Sequence, residues 1–286
     1  MRFPVRAVRG SWPAAWVRRV PRLFRIDPRL LLDDMPSPED FREAMALVHV
    51  GDTIKITEAD RHAVADDLLI DALDLTGAAI VDIGVSDGST AVDVIPKLPD
   101  FASYVLADLY LELQAVRVGR SVVFYDHDDV CVLVAGPRLI AWPSLSRTVR
   151  ALCAPWLARA ARRRDQRVPV LLLNPTARAL MAEDPRVTAR AHDVFQEWPA
   201  PAPDLIKVAN LLRRLYFPDD QLTRALGVLL RSLDEGGHLL LVDNSREVGM
   251  GPRAGLYRRT GDAFTVVAET PDTPEIGDLV REVRAA

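Results

Sequence analysis

The chain has 286 residues, of which 49% are hydrophobic and 27% charged, and its formal net charge is -4. A chain of this length buries enough surface to need no staples, and its only cysteines, Cys131 and Cys153, stand in no ligand-like spacing, which excludes a disulfide framework and a cysteine-rich zinc module. No apolar run approaches the ~20 residues of a membrane span, and the first thirty residues lack the apolar stretch of a signal peptide, so a cytoplasmic globular protein is expected.

Residues 1–30 carry eight arginines and one acid, Asp27, with Trp12, Trp16, Pro13 and Pro21 between them. Such a basic, proline-broken start suits contact with a membrane surface or a partner, but the plainer reading is an arm covering the domain. Residues 37–75 read as helical. Ser37-Pro38-Glu39-Asp40 and Thr57-Glu58-Ala59-Asp60 are both helix-start signals, a hydroxyl cap with a carboxylate after it. Ala78–Ile83 is a run of strand formers ending in Gly84, a helix is expected from about Ser89 to Ile95, and Ser103–Ala107 is a second strand ending at Asp108. Strand, glycine loop, helix and strand open an α/β domain with a parallel sheet.

From about Leu111 to Val168 this alternation breaks. Ser121–Tyr125 and Val130–Val134 flank Asp126-His127-Asp128-Asp129 as a β-hairpin, and a basic helix interrupted by Pro155 follows. The core is expected to resume at Val170–Leu173, followed by a helix from about Thr176 to Ala182 and a strand over Arg186–Arg190. Asp204–Ala209 is another strand, Asp219–Leu233 a helix and His238–Val242 a strand. Gly255–Arg259 and Ala263–Ala268 form a closing antiparallel hairpin. The expected organisation is a basic arm and helical cap over 1–56 and one α/β domain over 57–286, with an inserted hairpin-plus-helix at about 111–168.

The segment Val81-Asp82-Ile83-Gly84-Val85-Ser86-Asp87-Gly88-Ser89 carries the strongest functional signal. Glycines directly after a strand allow a sharp turn and close approach of a ligand to the backbone. The dinucleotide pattern G-x-G-x-x-G is not met, which argues against a nicotinamide-dependent oxidoreductase.

Asp82-x-Gly84-x-Ser86-x-Gly88 resembles the first motif of class I S-adenosylmethionine-dependent methyltransferases, an acid before G-x-G-x-G, with Ser86 in place of the middle glycine. Four further segments resemble the family in order. Asp108 stands where the family places the acid on the ribose hydroxyls; a carboxylate accepts two hydrogen bonds from a diol. Asp193-Val194 matches the pair near the adenine. Asp204–Leu212 resembles the fourth-strand motif, and Leu233–Val242 the helix end and fifth strand. Asn210 with Tyr216-Phe217 is loosely similar to chemotaxis-receptor methyltransferases.

The resemblance implies a Rossmann-like, doubly wound, mainly parallel seven-stranded sheet with an antiparallel closing hairpin. It also implies S-adenosyl-L-methionine as cofactor, with contacts at Asp82, Gly84, Ser86, Asp87, Gly88, Asp108, Leu109, Asp193, Val194 and Asn210. The acceptor, a small molecule rather than nucleic acid, would meet Lys207 and Tyr216, with no metal involved. A methyltransferase-like scaffold without activity is the alternative from another class.

Other residues admit two readings each. Leu171–Asn174 with the following helix and strand also mimics a second-strand unit, which would put Asn174 near the ribose instead of Asp108. Only three of 36 basic residues are lysines. Lys207, in a central strand, either meets an acidic ligand group or pairs with a neighbouring acid. His192 is either a general base or a strand-end residue. Asp126–Asp129 is a polar hairpin tip rather than a metal site, because consecutive turn residues seldom converge. Arginines 147–167 form a solvated helix face, and the cysteines fill core space.

Overall fold

A computed structural model of the chain describes residues 3–50, 53–54, 62–244 and 252–285. The chain divides into two compact units, one made of Met1–Ile56 with Tyr110–Thr176, the other of Thr57–Leu109 with Ala177–Ala286.

The chain starts in the first unit with strand β1 (Val5–Val8), helix α1 (Ala14–Arg19), strand β2 (Phe24–Arg25) and helix α2 (Pro38–Met45). Helix α2 starts as its sequence dictates: Ser37 Oγ accepts from the Asp40 N–H at 3.1 Å, and Pro38 occupies the first turn, where no amide is needed. A short hairpin, β3 (His49–Val50) and β4 (Thr53–Ile54), closes this segment. In the second unit come helix α3 (Ala63–Ala72), strand β5 (Ala79–Ile83), helix α4 (Ser89–Val94) and strand β6 (Ser103–Asp108). The helix start expected at Thr57–Asp60 lies outside the described residues.

The chain returns to the first unit with β7 (Glu112–Val118), β8 (Ser121–Tyr125), β9 (Cys131–Ala135), β10 (Leu139–Ala141), helix α5 (Arg147–Ala161) and β11 (Val168–Leu171). It ends with α6 (Pro175–Glu183), β12 (Val187–Ala191), β13 (Leu205–Ala209), α7 (Asp219–Arg231), β14 (His238–Asn244), β15 (Pro252–Thr260), β16 (Ala263–Glu269) and α8 (Gly277–Glu282). Among the described residues, no helix is long and apolar enough to cross a membrane.

The second unit is a doubly wound, Rossmann-like sheet of order β12-β6-β5-β13-β14-β15-β16. The five strands from β12 to β14 run parallel, and β15 and β16 close the sheet antiparallel. Parallel strands are covered on both faces, which is why β13 and β14 read as nearly continuous apolar runs. On one face Val81, Ile83, Ile206, Val208, Leu239 and Leu241 join Leu222, Leu226, Leu229 and Leu230 of α7 in one core. The other face carries Asp82 and Lys207, which are register partners, and α3 lies on it. Strand order runs outward from β5 to β6 and β12 on one side and to β13 and β14 on the other. The carboxyl ends of β5 and β13 therefore flank the topological switch point, where open α/β sheets place their ligand crevice.

The first unit departs from the expected cap and hairpin-plus-helix. It is a second seven-stranded sheet of order β11-β7-β8-β9-β10-β1-β2. The N-terminal arm is part of it: β1 pairs antiparallel with β10 and parallel with β2, and Val8 and Phe24 are buried. Strand β8 is buried along its whole length, because α2 and its neighbours cover one face and α5 the other. Strand β7 escaped the sequence reading because Glu112, Gln114 and Arg117 interrupt its apolar residues, and Arg117 breaks the strand alternation that Glu112 and Gln114 begin. Val170–Leu173 does not resume the parallel sheet; β11 pairs antiparallel with β7. The interruption expected at Pro155 is absent too. Helix α5 runs through it, since Ala151, whose carbonyl loses its helical donor, is exposed to solvent.

Candidate functional site

The site is built at the carboxyl ends of β5, β6, β12 and β13. After Ile83 the chain must leave the sheet and enter α4 within five residues, and it does so through three left-handed positions: Gly84 at φ +83°, Ser86 at φ +58° and Gly88 at φ +79°. Glycine takes this conformation freely, whereas an L side chain pays for it. Ser86 thus occupies, in glycine's conformation, the place where a glycine was expected. The loop is tied to the next strand. The Gly84 N–H donates to Ala107 O at 2.7 Å, and the Ser86 N–H donates to Asp108 Oδ2 at 2.8 Å. Asp108 O in turn accepts from the His192 N–H at 3.2 Å, which brings the end of β12 alongside.

Asp108, at the end of the true second parallel strand, is thus in the crevice, with β6 paired to β5 and β12 on either side. Asn174 belongs to the first unit, beyond a strand of the other sheet. Asp193 makes a local turn, its Oδ1 accepting from the Phe195 N–H at 3.0 Å, and Val194 is buried in the core beside α7. Asn210 ends β13 at φ +55°. Its Oδ1 accepts from the Asn244 N–H at 2.8 Å, which fixes the amide's orientation and leaves Nδ2 as the donor towards His62 Nε2, 2.9 Å away. Sequence reading missed His62, because no local signal ties it to Asn210, 148 residues later.

Three expected contact residues face elsewhere. Asp82 is buried, accepting from the Tyr104 hydroxyl at 2.8 Å, with Lys207 Nζ 3.9 Å from its Oδ2. Lys207 is 1% exposed and donates to Asp66 Oδ1 at 2.9 Å, so its charge is spent beneath α3 rather than at the crevice. Burial pushes both the Asp82 and the Asp66 carboxyl up, and Lys207 partly offsets it; burial and Asp82 together push the Tyr104 hydroxyl well up. Asp87 is also buried, accepting from the Ser89 N–H and hydroxyl at 3.1 and 3.0 Å, so it shapes the entry to α4. Leu109 and Tyr216 are exposed.

The remaining candidates resolve as ordinary structure. His192 is buried edge-on against Trp198 with ring centroids 4.8 Å apart, and its pKa is lowered by burial and then by Arg190. At the hairpin tip, Asp126 Oδ1 accepts from the Asp128 and Val130 amides, while Asp129 pairs with Arg164 and Arg167. Among the described residues no cluster of histidine, cysteine and acidic side chains is arranged to hold a metal. Burial pushes the Cys131 thiol up to about 12 and raises that of Cys153, the opposite of an activated nucleophile.

No protein-family model matches the chain, and no curated protein matches it. Solved structures do. The chain is similar to the mitomycin 7-O-methyltransferase MmcR at 18% identity, covering 78% of this chain and 44% of that one with a TM-score of 0.36. It is similar to the S-adenosylmethionine-dependent methyltransferase SibL at 17% identity, over 63% of this chain and 36% of that one, TM-score 0.33. It is also similar to human N-acetylserotonin methyltransferase, solved with SAM, at 15% identity over 72% and 38%, TM-score 0.35. The chain spans less than half the length of these three structures. Likeness at this level leaves function to be read from the residues of the crevice.

Proposed function

We propose that the crevice beyond β5 and β6 binds S-adenosylmethionine and that the chain is a methyltransferase acting on a small-molecule acceptor. The observation that carries this reading is the tie between the left-handed loop Gly84–Gly88 and the carboxylate that ends the next strand, made by the Ser86 N–H on Asp108. The donor set fits the cofactor. Asp108 gives one oxygen to Ser86, and a carboxylate has lone pairs enough to accept a vicinal diol as well. Asp193 and the Val194 amide follow at the end of β12, where an adenine would lie, and Asn210 borders the acceptor side at the switch point.

The bound cofactor would supply an electrophilic methyl sulfonium. What remains for the chain is to orient: Gly84, Ser86 and Gly88 turn the backbone along the ligand, Asp108 holds the sugar, and Asn210 is held still by Asn244 and His62. Proximity and alignment supply much of the rate in such transfers, so a general base is not required.

The test is a pair of titrations. S-adenosylhomocysteine should raise the melting temperature of the protein, as a ligand selective for the folded state must. NADH at the same concentrations should leave it unchanged. A shift with NADH and none with S-adenosylhomocysteine would replace this reading by the oxidoreductase one.

A further inference from the structure

Net charge hides a division between the two units. The first holds twenty lysines and arginines against twelve acids, a formal +8, whereas the second holds sixteen against twenty-eight, a formal -12. Within the first unit, residues 10–26 contain four arginines and no acid.

That run has an unusual structure. Neither α1 nor the tight turn Pro21–Leu23 after it buries a single residue. The segment is pinned at its base, where Ser11 Oγ donates to Pro137 O at 2.7 Å and Trp12 Nε1 donates to Arg138 O at 3.1 Å. Outward it presents apolar surface: Trp16 is 59% exposed and stacked on Trp12, and Val20 and Leu23 are 45% and 42% exposed. Arg18, Arg19 and Arg22 are exposed among them.

We propose that α1 and the turn after it form a docking surface for an anionic lipid membrane. Aromatic and aliphatic side chains set among cations on an otherwise unburied helix are the pattern of a segment lying in the bilayer interface. The cations complement anionic headgroups, and tryptophan favours the headgroup level. A nucleic acid fits this surface less well. Val20 and Leu23, which flank the indoles, gain nothing from phosphate or base.

Co-sedimentation of the full chain with vesicles tests the proposal independently of any cofactor. Vesicles of equal parts phosphatidylglycerol and phosphatidylcholine should pull the protein down at low salt, and vesicles of phosphatidylcholine alone should not. The variant Arg18→Glu/Arg19→Glu/Arg22→Glu should weaken this binding on the order of a hundred-fold. Trp16→Ala/Leu23→Ser should weaken it at least several-fold while leaving the circular dichroism spectrum native-like, since neither side chain belongs to the core. Equal binding to both vesicles, binding to neither, or binding unaffected by either variant would overturn the proposal. So would tighter binding to a single-stranded oligonucleotide than to the anionic vesicles.

Discussion

Replacing Lys207 by methionine keeps the stem and removes the charge. In the native protein that charge lies 2.9 Å from Asp66 and 3.9 Å from Asp82, with Tyr104 completing a buried cluster between α3 and the sheet. Losing one partner of a buried ion pair leaves an uncompensated carboxylate and costs about 3–5 kcal/mol. The cost should depend on pH. Burial already raises both carboxyls and Lys207 pulls them down, so without it their native pKa values rise further above the ~3.9 of an unfolded aspartate. Between those values the folded variant binds more protons than its unfolded chain, so its stability increases as pH falls. Urea denaturation of both proteins at pH 7 and pH 5 measures this. The deficit should be several kcal/mol at pH 7 and smaller at pH 5, and Lys207→Met/Asp66→Leu should recover part of it. A deficit below about 1 kcal/mol, or one that grows towards pH 5, would refute the reading of Lys207 as a structural cation.

Ser86→Gly should stabilise the protein by roughly 1 kcal/mol, seen as a rise of a few degrees in melting temperature, because it relieves a left-handed serine. Gly84→Ala should destabilise by at least about 1 kcal/mol in urea, since it combines φ +83° with a Cβ 3.0 Å from Leu211 Cδ2, and Leu211→Ala added to it should restore part of the loss. Tyr104→Phe should cost about 1–3 kcal/mol, because Asp82 loses a buried donor; thermal denaturation reports it.

Much of the second unit was legible because its signals are local. Strand β5 with its glycine loop, α7 with its apolar stripe and the β15–β16 hairpin each announce themselves within a dozen residues. The first unit was not, because its sheet joins β1 and β2 to strands more than a hundred residues later, and nothing in a short arginine-rich arm names its partner. For the same reason Val170–Leu173 looked like the parallel sheet resuming; four apolar residues state a strand and not the sheet it enters. In the crevice, the family resemblance pointed to the loop and Asp108, which a hydrogen bond from the Ser86 N–H brings together. The true neighbours of Lys207 and Asn210 could not be read from the sequence, since Asp66 and His62 lie 141 and 148 residues away from them.

Calorimetric titration of S-adenosylhomocysteine into the native chain, Asp108→Ala, Asp108→Asn and Asn174→Ala tests the central claim most directly. A carboxylate on the ribose contributes about 1.5–3 kcal/mol per hydrogen bond, so Asp108→Ala should weaken binding at least tenfold. Asp108→Asn should lose less, because the amide keeps an oxygen for the Ser86 N–H, and Asn174→Ala should change affinity by no more than a few-fold. Absence of binding heat in the native protein, or Asn174→Ala crippling affinity while Asp108→Ala leaves it intact, would contradict a cofactor held between Gly84 and Asp108.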